Sequence, residues 1–189
     1  MTRRAGGLAA ALSISVLLTA CQQESPPINN APLPSVAAGP YLCDLIPADA
    51  VHLMTGVQDP LVKGDFDPTT TEEWGSGSCF IYSPIGNQPK VLDVTLSPAG
   101  SKGEVEDQIR TGATRLPDIV PGGVGFYFQG RSPGSARAAA MLVRGYDRLI
   151  IELERGVEGR DNAADVVALM RLIAPKLITT ATPAPTKKG

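Results

Sequence analysis

The clearest signal in the chain is its alternation of apolar and polar positions. Leu92, Val94 and Leu96 alternate with Asp93 and Thr95, and Leu149, Ile151 and Leu153 alternate with Glu152 and Glu154. A period of two predicts half-buried strands over 91–96 and 149–154. Ala163, Val166, Val167, Met170, Ile173, Ala174 and Leu177 instead recur at steps of three and four, which predicts a core-facing helix over 162–178, with Asp161 and Asn162 as caps. A shorter stripe of Ala50, Val51, Leu53 and Met54 predicts a helix over 47–55. Pro47 is tolerated in its first turn, Asp49 sits near the positive end of its dipole, and Gly56 stops it. Ile46 falls at the expected N-cap, where Ser, Thr, Asp or Asn would be worth about 1 kcal/mol more.

Weaker patterns complete the domain. Residues 79–82, 126–128 and 136–143 read as strands, and 103–111 as a helix with Val105 and Ile109 on its apolar side. Its Glu104, Glu106, Asp107 and Arg110 read as a solvated face. The order is helix, two strands, helix, three strands, helix, and short links such as Gly145-Tyr146-Asp147 favour antiparallel neighbours. These elements predict the α+β class: one domain over 41–178, with an antiparallel sheet packed by two to three helices.

The ends read differently. Arg3 and Arg4 precede an apolar run from Leu8 to Leu18, followed at once by Thr19-Ala20-Cys21. This is the layout of a signal peptide over 1–20, and its run is too short for a span of about 20 apolar residues. Leu18, Thr19, Ala20 and Cys21 match a lipobox, so Cys21 is the expected lipidation site and anchors the chain to the membrane through acyl chains such as palmitate. Residues 21–40 hold five prolines and few large apolar side chains, which predicts a tether, and 179–189 read as a disordered tail. Loss of Arg3 and Arg4 takes the formal charge from −2 to −4, and a mildly acidic chain has no electrostatic reason to bind nucleic acid.

With Cys21 assigned to lipid, Cys43 and Cys79 remain in an exported domain. A structural disulfide is the expected state there, and buried free thiols are the alternative. His52, the single histidine, does not complete a zinc set with two cysteines. Gly130-Arg131-Ser132-Pro133-Gly134 has the form of a hydrolase nucleophile elbow. It sits between two predicted strands, however, and Pro133 has no N–H to give an oxyanion hole, so a hairpin loop is the expected reading. Asp59, Asp65, Asp67, Glu72 and Glu73 lack the spacing of an EF-hand, and Gly122-Gly123-Val124-Gly125 lacks a complete phosphate-binding fingerprint. Arg131, Arg137, Arg144 and Arg148 fall on mixed strand parity and read as solvated surface.

A lipobox, a Pro-rich tether, the string Cys43-Asp44-Leu45-Ile46-Pro47-Ala48 with Val51 and Gly56, a second cysteine at a strand start, a Gly-rich turn before a strand and a C-terminal helix occur together here. This combination resembles the actinobacterial DUF3558 family of lipoproteins, over about Cys21 to Leu177. Ile46 and Ile81 stand where that family carries Thr or Ser and an aromatic residue. The resemblance implies an uncharacterised envelope lipoprotein on the extracytoplasmic face of the cell membrane. It carries over no catalytic residue.

The expected function is therefore a tethered binding or interaction module, not an enzyme, with no cofactor and no metal. An extracytoplasmic hydrolase, or an accessory structural subunit of an envelope complex, is the alternative. The polar stretch from Gln58 to Ser78 is the candidate interaction loop, with Trp74, Asp65 and Asp67 as its contact residues for an envelope protein, a glycan or a small apolar ligand.

Overall fold

The computed structural model describes residues 28–67, 76–130 and 136–178. Its fold is α+β: an antiparallel sheet, three helices and one disulfide. A small ladder of β1 (Tyr41–Leu42) and β2 (Ile46–Pro47) leads into α1 (Ala48–Thr55). The turn between its strands places Cys43 and Asp44 at positive φ. The N-cap of α1 is Pro47, one residue later than expected, with no side-chain cap. The Ala48 N–H is satisfied instead by the Pro40 carbonyl at 2.9 Å, which explains how a helix can begin without a polar cap.

The main sheet contains β3 (Leu61–Lys63), β4 (Phe66–Asp67), β5 (Ser76–Tyr82), β6 (Lys90–Ser97), β7 (Thr114–Arg115), β8 (Val124–Gln129), β9 (Ala138–Arg144) and β10 (Asp147–Leu153). The spatial order is β3-β5-β6-β10-β9-β8-β7, with β4 also on β5. The two predicted groups of strands thus join at the centre, where β6 pairs antiparallel with β10 and Val94 faces Ile151. β8, β9 and β10 form a meander, so 130–137 links two paired strands and not a strand and a helix.

Strand parity divides the side chains between two layers. Cys79, Ile81, Val94, Leu142, Leu149 and Ile151 point to one face, where α1 and α3 (Asn162–Leu177) cover them. Met141, Val143 and Phe126 point to the other, beneath Val105 of α2 (Lys102–Arg110). Ser101 caps α2, its Oγ accepting from the Glu104 N–H at 3.4 Å, and Asp161 caps α3 as expected, accepting from the Ala164 N–H at 2.9 Å. Cys43 and Cys79 are joined, with S–S 2.09 Å and Cα–Cα 6.0 Å, so the entrance of α1 is fastened to β5.

Two expectations are corrected. The stretch from Gln58 to Ser78 is not irregular throughout: Leu61–Lys63 and Phe66–Asp67 both pair with β5. Three- and two-residue strands are too short to show a period, and Pro60 and Gly64 disguise the first. The second correction concerns the tether, which was expected to be free up to residue 40. Leu33 is instead only 7 % exposed and belongs to the main core. Residues 28–40, the strap, are thus held to the folded unit through Leu33. One buried leucine and a set of hydrogen bonds to the strap's own carbonyls hold a segment that composition alone assigns to solvent.

Candidate binding groove

The strap is held by Arg160, in the loop before α3. Its Nε and Nη2 donate to both oxygens of Asp165 at 2.9 and 2.7 Å, while Nη1 donates to the Asn29 carbonyl and Nη2 to the Ala31 carbonyl at 3.1 Å. Both side chains of this ion pair are nearly inaccessible, at 4 % and 6 %. The hydrogen-bonded carboxylate of Asp165 pushes the Arg160 pKa further above its ordinary value. A planar fork with five donors can serve one carboxylate and two carbonyls at once, which a lysine could not match. Ile28 lies against Gly159, where a Cβ would come within 2.6 Å of the Ile28 side chain.

Between the strap and α3 lies a hollow of about 330 Å³, walled by Pro32–Ser35 on one side and Ala168 and Leu172 on the other. A second hollow of about 600 Å³ continues on the other flank of α3, where Leu116, Pro117 and Tyr127 form the wall and Ala163 and Val167 the floor. Ala164 and Arg171, both exposed, line both hollows, so the two adjoin as a groove along the exposed side of α3 with these side chains between them. Small side chains at Ala164 and Ala168 keep it open. The lining is mainly apolar; Arg115, Asp161 and Arg171 are its exposed charges, and Asp165 is buried in its pair with Arg160. Arg115 is drawn to Glu106 at 2.9 and 3.1 Å, and these hydrogen bonds raise its pKa. Arg171 is exposed and makes no ion pair among the described residues. The volumes fall within the range of about 300–1,000 Å³ common for ligand sites.

Among the described residues, none of the sequence-derived candidates lines the groove. Cys21 and Trp74 fall outside the described residues, as do Glu72, Glu73 and Arg131–Gly134. Asp67 pairs with Ser76 in β4, and the Asp65 carbonyl accepts from the Ser78 N–H at 3.0 Å, so both belong to the sheet edge and neither lines the groove. His52 is exposed on α1, with Nδ1 3.3 Å from the Val57 carbonyl, beside a shallow hollow floored by Ala48 and Leu42. The basic residues of the second half are dispersed: Arg137 reaches Glu154, Arg144 the Pro121 carbonyl, and Arg148 Ser97 and Glu104. No group of three or more potential metal ligands occurs among the described residues, and none of their helices is long and apolar enough to cross a membrane.

On the opposite face of the sheet, Asp93, a polar position of the alternation, is only 9 % exposed. Lys90 binds it at 2.7 Å and Thr95 donates to it at 2.9 Å, and the bond to Asp93 raises the Lys90 pKa. The groove residues themselves were missed because they come from four separate segments. Arg171 was the readable signal, the one charged side chain in the interior of a strongly apolar helix. No protein-family model, curated protein or solved structure matches the chain.

Proposed function

We propose that the chain is a lipoprotein anchored through Cys21 to the extracytoplasmic face of the cell membrane, akin to the DUF3558 lipoproteins it resembles, and that its domain binds a partner or ligand through the groove on α3. The groove is the observation that carries the binding reading. Two mainly apolar hollows adjoin at Ala164, with Tyr127 as an aromatic wall of one and Arg171 as an exposed cation beside both. Such a site suits a ligand with an apolar body and an anionic end, whether carried by an envelope protein, a glycan derivative or a small molecule. Export is supported by the N-terminal leader pattern and by the Cys43–Cys79 bridge, a bond that persists mainly in oxidising compartments.

The test for binding is a photo-crosslinking residue at position 164 in cells, read by mass spectrometry. A recurrent adduct that Arg171→Glu abolishes supports the reading. A pattern no different from that of the same residue placed at exposed Gln108 on α2 refutes it. Anchoring is tested separately: Cys21→Ser must move the protein from the detergent phase to the aqueous phase.

A further inference from the structure

The strap decides which side of the domain can meet lipid. We propose that its docking holds the α3 side of the domain toward the membrane and keeps the α2 side turned away; the inference rests on lipidation at Cys21. From Cys21 to Ile28 the chain has seven Cα steps, which reach about 25 Å at most, whatever their conformation. If the chain were free as far as Tyr41, the limit would be about 70 Å. A domain of this length has a radius of gyration of about 15 Å and is therefore nearly 40 Å across.

These lengths decide the outcome. With about 70 Å of chain every face could touch the bilayer. With about 25 Å, the far side cannot reach it, because the chain would have to pass around half the domain's girth, about 60 Å. The exit point is set by Arg160, which holds the Asn29 and Ala31 carbonyls, and by Ile28 against Gly159. This point belongs to the α3 layer, and α2 packs on the opposite face of the sheet.

Charges of both signs are exposed on this side, Glu158 and Asp161 near the strap exit and Arg171 and Lys176 further along α3, so tether length and not charge sets the orientation. Asp165, the one carboxylate within α3, is buried in its pair with Arg160, while Arg171 and Lys176 are exposed. The groove on α3 then opens close to the bilayer, and the face of the sheet that carries α2 and exposed Phe128 is turned to the rest of the envelope.

The test uses the mature lipidated chain in vesicles of phosphatidylglycerol and phosphatidylcholine. A photo-crosslinking residue replaces exposed Glu158, beside the strap exit, or exposed Gln108 on α2. Position 158 is expected to capture lipid several-fold more than 108. The preference should collapse when a Gly/Ser linker of about 20 residues is inserted between Gln22 and Gln23, a change that leaves the folded domain untouched. Leu33→Asp, which frees the strap, should do the same; if that variant does not fold, the insertion decides. Equal capture at the two positions, or a preference that survives the insertion, overturns the orientation while leaving the anchor intact. A wild-type chain that carries no lipid overturns both.

Discussion

Arg160→Ala is the perturbation that tests how the strap is held. It removes four hydrogen bonds and leaves Asp165, whose side chain is 6 % accessible, without its cation. If the strap stays in place, Asp165 remains buried and uncompensated, and breaking such a pair costs about 3–5 kcal/mol. If the strap leaves, Asp165 is rehydrated and the loss falls to what docking contributed. Burial of Leu33 sets that at about 1.5–3 kcal/mol, before the entropy of ordering the strap is subtracted. Urea unfolding of the oxidised chain separates these limits. With a slope of about 2 kcal/mol per molar, the first lowers the midpoint by about 2 M and the second by about 1 M or less. Limited proteolysis tells which applies, since only a released strap is cut within residues 28–40. Arg160→Ala combined with Asp165→Ala should recover stability in the first case and not in the second. A single variant with an unchanged midpoint and an uncut strap would show that Arg160 does not hold it.

Three further outcomes follow from the packing and charge. Reduction of the Cys43–Cys79 bridge, or Cys79→Ser, should cost about 4 kcal/mol by the loop-entropy relation, seen as a fall in Tm that reductant cannot deepen in the variant. Gly125→Ala should destabilise by about 1–3 kcal/mol, because its Cβ would lie 2.3 Å from the Met141 carbonyl on the neighbouring strand and 2.6 Å from Leu116; a neutral urea midpoint would contradict that contact. Lys90 has its pKa raised by the bond to Asp93, so its contribution is complete below the ordinary value of 10.5 and is lost as pH rises through the higher folded value. Lys90→Met should therefore differ from wild type by a constant amount between pH 7 and 10 and converge with it at higher pH, as read by unfolding midpoints.

What could be read directly from the sequence was whatever depends on neighbours along the chain. The alternation in 91–96 and 149–154, the stripe of α3 and its Asp161 cap all reappear as β6, β10 and α3, because period and capping are local properties. The antiparallel α+β arrangement followed from short links between strands. The pairing of Cys43 with Cys79 was accessible because two thiols remain once Cys21 is set aside, and the leader pattern led to the expectation of an oxidising compartment. Edge strands of two or three residues were not legible, since β3, β4 and β7 owe their form to the strand beside them. Asp93 shows the same limit: its place in the alternation was right, but only the folded sheet brings Lys90 and Thr95 to it.

The strap and the groove were decided by tertiary structure alone. Arg160 lies about 130 positions from the carbonyls it binds, and a Pro-rich segment has no periodicity to announce that it will be buried. Two hints were present: Leu33 stands alone among small and polar residues, and Leu169 and Leu172 make the apolar arc of α3 wider than one sheet face requires. Local pattern therefore determined which segments fold and how each begins. The buried ion pair and the packing around α3 determined how the segment before β1 is held and where the groove opens, because each depends on contacts that exist only after the chain has closed on itself.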